Sequence, residues 1–155
     1  MGMVSRKRGA AGFTLIELVV VVIIVAILAA VAVPIYLAYT RRAHMSEALA
    51  GLGSIRTAER AYYAEHNVYL AVAAGDMGED PTDDPPGLGI DFSKNTYFDE
   101  NAFSAALDAG TGFIATANGS ASTAPRASDI VKYKAQMNGD GEVRYDWGSG
   151  YTDWE

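Results

Sequence analysis

The residue whose chemistry most needs an explanation is Glu17, a carboxylate at the head of a stretch, residues 18–40, that carries no charged side chain. At membrane depth such a group is costly unless a cation or hydrogen-bond donors meet it. Phe13 stands four residues earlier, behind Gly12 and a short leader holding Arg6, Lys7 and Arg8. A cut after Gly12 would create an α-amine on Phe13, on the same helix face as Glu17 and near the positive end of the helix dipole. Each charge could then serve as the counter-ion of the other. Paired within one subunit they neutralise each other. Paired between subunits they also set an axial stagger, and assembly relieves a strain that the free membrane subunit carries.

The other polar groups lead less far. His44 and His66 would lie about 33 Å apart on one straight helix. Neither has a nucleophile in a recognisable motif, and no serine elbow, zinc spacing or phosphate loop appears. The reading is a non-enzyme with no cofactor. Asn138 and Asp140 sit as a calcium loop would place them, but the further acids and the glutamate at the twelfth position are missing. They are weak metal candidates beside the stronger reading of turn chemistry. Asp76, Glu79, Asp80, Asp83 and Asp84 show no ligand spacing and read as a solvated loop. Asn118-Gly119-Ser120 fits a glycosylation sequon within a stretch that reads as an exposed loop. The chain has 2 Trp, 9 Tyr and 5 Phe. At helical spacing, Tyr36, Tyr39, Tyr62 and Tyr63 are better explained by packing than by charge conduction.

These residues need a membrane-spanning element to hold them. The basic leader keeps residues 1–12 in the cytoplasm and directs the C-terminus outward, a bias that Arg41 and Arg42 weaken from the far side. An ordinary signal peptide is cut after its apolar core, whereas here the glycine stands before it, so cleavage at Gly12 retains the helix. Ala30-Val31-Ala32 offers a competing site. Its use would release a soluble secreted domain after Ala32; a simple bitopic anchor is a third reading.

Length and composition suit a small exported subunit. The chain has 155 residues, enough for one domain and a long helix, and no cysteine to staple it. Loss of residues 1–12 would leave nine basic against nineteen acidic side chains. So acidic a surface repels nucleic acid, and no nucleic-acid partner is expected.

The basic leader, Gly12, Phe13, Glu17 and the apolar run ending near Pro34 resemble the type IV pilins and their pseudopilin relatives. The resemblance covers roughly residues 6–63. It implies cleavage after Gly12 by a prepilin peptidase, N-methylation of Phe13, and assembly into a helical filament of identical subunits. Glu17 would supply register, Leu15 and Ile16 belong to the hydrophobic grip, and Pro34 marks a bend in the helix or a place where it melts on packing. Further implied partners are membrane lipid before assembly and the inner-membrane pilus assembly machinery. The precursor would reside in the bacterial inner membrane and the product in an extracellular pilus, with a type II secretion pseudopilin as the alternative. Many pilins close their C-terminal region with a disulfide; this sequence departs from that habit.

The fold expected is α+β, a long N-terminal helix packed on a small antiparallel sheet. Residues 1–12 form the leader, 13–40 the transmembrane and filament-core helix, 41–70 its amphipathic continuation, and 71–155 the globular head. Met45, Leu49, Leu52, Ile55, Ala58 and Tyr62 form one apolar stripe, with Glu47, Arg56, Glu59 and Arg60 off it. Pro34 removes a donor from the helix ladder, and Gly51 and Gly53 mark either a soft point or a close packing contact. Residues 75–89 read as a surface loop. A short helix is predicted over 101–107, with Asp99 as its N-cap and Phe103, Ala106 and Leu107 turned inward. Alternation predicts strands around 113–117, 131–137 and 143–147, the last two joined as a hairpin through Asn138-Gly139-Asp140-Gly141.

Overall fold

The computed structural model describes residues 12–84, 86–110, 112–148 and 150–154; the basic leader with Arg6, Lys7 and Arg8 lies outside the described residues. The chain divides into two units, Met1–Thr40 and Arg41–Glu155. Helix α1, Leu15–His66, contributes to both and runs through Pro34 without interruption.

In the first unit the helix is apolar all round. It is long and apolar enough to cross a membrane, and none of its most apolar stretch is buried. Straight-chain and β-branched apolar residues leave it no polar face, so its side chains have only another apolar phase to pack against.

The second unit is built on the remainder of α1. Asn67 ends the helix in the left-handed region at φ 58° and donates its N–H to the Tyr63 carbonyl at 2.8 Å. Four antiparallel strands follow in the order β1-β2-β3-β4: β1 Phe103–Asp108, β2 Gly112–Asn118, β3 Lys134–Asn138 and β4 Val143–Asp146. Alternate residues of the sheet, Phe103, Ala105, Phe113, Ala115, Ala117, Ala135 and Met137, join Met45, Ala48, Leu52 and Ile55 of α1 in one core. So many alanines keep the two layers close. A Cβ on Gly51 would collide with the Phe103 ring, whereas one on Gly53 would meet nothing. Gly51 is therefore a packing contact.

Three expectations need correction. Residues 101–107 are no helix: a 3-10 turn, Glu100–Ala102, leads directly into β1, leaving Ala106 and Leu107 exposed. Pairing of β1 with β2, Phe103 opposite Ala117 through Asp108 opposite Gly112, outweighs the helix preference of the local Ala and Leu. Asp99 precedes that turn, but its side chain does not cap it. The third strand begins at Lys134, and Val131 is exposed, because a turn in which Tyr133 N–H bonds the Ile130 carbonyl at 2.8 Å occupies the approach. Glu59, expected off the apolar stripe, is fully buried.

The loop over 75–89 exposes Glu79, Asp80, Asp83 and Asp84 but buries Met77, Gly87 and Leu88. Without disulfides, carboxylates tie segments together. Glu47 on α1 accepts three consecutive backbone N–H groups, those of Thr96, Tyr97 and Phe98, at 3.0, 2.7 and 2.7 Å. Asp99 accepts the Thr123 N–H and hydroxyl at 2.9 and 2.6 Å and the Ser122 hydroxyl at 3.2 Å. Burial alone would raise the Asp99 carboxyl, yet these bonds together outweigh it and hold the group below its usual range.

Candidate functional site

Glu17 does not stand unmet at the start of α1. The Thr14 carbonyl accepts the Leu18 N–H at 3.3 Å, the first bond of the helix ladder. The Thr14 hydroxyl accepts the Glu17 N–H at 3.3 Å, while Glu17 Oε2 accepts the Thr14 N–H at 3.0 Å and hydroxyl at 2.7 Å. This is a reciprocal capping box, Thr at the N-cap and Glu three residues on, which satisfies helix-terminal donors otherwise lacking a partner. Both side-chain bonds use Oε2. Oε1 is left to an outside donor.

Around this carboxylate, Phe13, Ile16, Val20 and Val21 line a shallow groove of about 310 Å³. Phe13, Leu15 and Ile16 are all exposed, and a Cβ on Gly12 would meet nothing among the described residues. Gly12, Phe13, Leu15, Ile16 and Glu17 thus cluster at one helix end. Pro34 does not join them, being about 26 Å further along at 1.5 Å per residue.

The weaker candidates resolve into structure. Asn138 Oδ1 accepts the N–H groups of Gly141 and Glu142 at 3.0 and 2.9 Å, and its amide donates to Glu142 Oε2 at 2.8 Å. Arg56 donates to the Gly139 and Asp140 carbonyls at 3.1 and 2.8 Å, so a guanidinium stands where a cation would have to bind. Among the described residues no group of three or more potential metal ligands forms. His44 is buried with its ring 4.4 Å from that of Tyr97, and His66 stacks on Tyr62 at 4.1 Å. The residue that sequence reasoning missed is Thr14. Its signal was present, since Thr14-Leu15-Ile16-Glu17 before an apolar run is the capping-box pattern.

A family described as the prokaryotic N-terminal methylation motif matches residues 7–33. The type IV major pilin protein PilE of Neisseria gonorrhoeae is 50% identical over 58 residues, 37% of this chain and 35% of that protein. Fimbrial protein EcpC of Eikenella corrodens is 45% identical over 71 residues, 44% and 46% of the two chains. In this N-terminal segment the chain is similar to the type IV pilins. The major pilin PilA of Myxococcus xanthus is 43% identical over 58 residues, 37% of this chain and 26% of that one. The match spans less than half the length of each of these three relatives, and no solved structure gives a significant match. The motif match covers the end of the leader and the apolar run through Val33, and the head of this chain is read from its own residues.

Proposed function

We propose that the chain is the structural subunit of an extracellular type IV pilus and acts by polymerising, without catalysis, cofactor or nucleic-acid partner. The precursor inserts in the membrane with residues 1–12 in the cytoplasm, and a prepilin peptidase cuts after Gly12 and leaves Phe13 to be N-methylated. The new ammonium then meets Glu17 of a neighbouring subunit, whose Oε1 is unclaimed by Thr14. Inner-membrane assembly machinery lifts the subunit, and the apolar faces of Leu15, Ile16 and the residues up to Val33 move from lipid to other helices. Pro34 is the place where the helix can bend or melt to suit that packing.

The observation that carries this reading is the wholly uncovered apolar helix with one acid at its capped start. The names of the relatives favour a pilus over a secretion pseudopilus. In Glu17→Ala, membrane insertion and leader removal should persist while sheared-filament yield falls below a tenth. Filaments of normal yield and symmetry in that variant would refute the pairing role.

A further inference from the structure

An apolar groove of about 430 Å³ opens on the first turns of the second unit. Met45 and Leu49 of α1 face Tyr145 of β4 and Trp147 across it, with Arg42, Ser46 and Thr152 completing its lining. Arg42 and its neighbour Arg41 are exposed and have no hydrogen-bond or ion-pair partner among the described residues. In a chain with nineteen acidic side chains, two free adjacent guanidiniums stand out. Thr152 Oγ1 accepts the Tyr145 N–H at 3.0 Å, which leaves its own proton free to be donated.

The place of this groove along the chain limits what can fill it. Tyr36 and Tyr39 are exposed at the end of the apolar run, where tyrosines favour the boundary between lipid and water. Arg42 follows Thr40 by two residues, so covalent reach keeps it within about 8 Å of that point. A phospholipid matches the lining: a phosphate for Arg42 and Thr152, and methylenes for Met45, Leu49 and the two aromatic rings, whose mixed polar and apolar character suits the headgroup level. The volume fits a small-molecule site, and the lining is too small for a stable protein interface, which needs roughly 800 Å² from each partner.

We propose that this groove binds the headgroup and upper acyl chain of an anionic phospholipid in the outward-facing leaflet while the subunit is unassembled. The site rests on the reading of residues 13–40 as membrane-inserted. It holds an acidic head against a surface that would otherwise repel it, and the lipid must leave or be carried along when the subunit joins a filament.

The test uses the full chain in maltoside micelles, which contain no phosphate, with Trp154→Phe so that Trp147 is the remaining tryptophan. Phosphatidylglycerol brominated on its acyl chains should quench Trp147 saturably, with an apparent affinity about fivefold weaker in Arg42→Gln, the loss expected for one cation beside an anionic headgroup. Equal quenching in Arg42→Gln, or quenching without saturation, overturns the site. Relief of quenching by inorganic phosphate assigns the groove to free phosphate and also overturns it. Trp147 unquenched in micelles but shielded in filaments gives the groove to a second copy, again overturning the lipid. Filament yield is scored separately: normal filaments with unquenched Trp147 remove the lipid site and leave the pilus reading standing, whereas saturable quenching without filaments does the reverse.

Discussion

Glu59 is the one fully buried carboxylate of the core face of α1, with Oε2 accepting the Leu70 N–H at 3.0 Å and Oε1 without a partner. Burial pushes its carboxyl above the ordinary 4.5, and the Leu70 bond opposes that only in part. A raised carboxylate binds its proton more tightly in the folded state than in the unfolded one. Stability therefore falls as pH rises from 4.5 through the folded value, and the cost of an ionised buried acid remains above it. Asp80, Asp91 and Asp99 are held below 3.8, so their contributions are lost only at more acidic pH, outside this window. In Glu59→Gln the thermal midpoint in micelles should drop less between pH 5 and 7.5 than in the parent. Equal slopes would show that Glu59 ionises freely. Sequence alone placed Glu59 off the apolar stripe because helical periodicity assigns faces by angle, and the turn at Asn67 that folds Leu70 back over it is a tertiary event. Glu17 was legible, since an acid before an apolar run needs no fold to stand out. Thr14 was legible too, though only to the capping rule.

At the level of elements, Gly51 and Gly53 separate two effects that sequence could not. Alanine is favoured over glycine in a helix by about 1 kcal/mol, a gain open to both positions. At Gly51 the new methyl meets the buried Phe103 ring, and overpacking costs about 1–3 kcal/mol. Gly51→Ala should thus lose on the order of 1 kcal/mol in denaturant unfolding while Gly53→Ala gains up to about 1. A gain at both positions would mean that Phe103 moves aside freely. The same contact explains why β1 was hidden. Phe103-Ser104-Ala105 alternates as a strand should, but Ala106-Leu107 is helix-favouring and exposed, so the segment is decided by its partner β2. The hairpin β3–β4 was plain because its turn carries its own chemistry: Gly141 at φ 96° needs a glycine, and Asn138 Oδ1 accepts the backbone N–H groups of Gly141 and Glu142. Val131 was drawn into β3 by its side chain alone, although the backbone there is already spent on a turn.

For the whole molecule, two electrostatic terms oppose each other across the proposed filament, and salt tells them apart. Removal of residues 1–12 leaves nine basic against nineteen acidic side chains, and Glu79, Asp80, Asp83 and Asp84 lie exposed in one loop. Heads brought side by side repel through water, where the screening length is about 30 Å at 0.01 M salt and about 8 Å at 0.15 M. In the proposed filament Glu17 and the neighbouring Phe13 ammonium would be enclosed by apolar helices beyond the reach of mobile ions, so their attraction would change little with salt. Sheared filaments should accordingly dissociate at a lower temperature in 10 mM than in 150 mM sodium chloride, with light scattering as the readout. Dissociation that becomes easier as salt is added would mean that ion pairs between heads, with Arg41 and Arg42 as the free cations best placed to make them, hold the polymer together. A temperature unaffected by salt would leave the apolar helices as the sole determinant, with the acidic heads too far apart to sense one another.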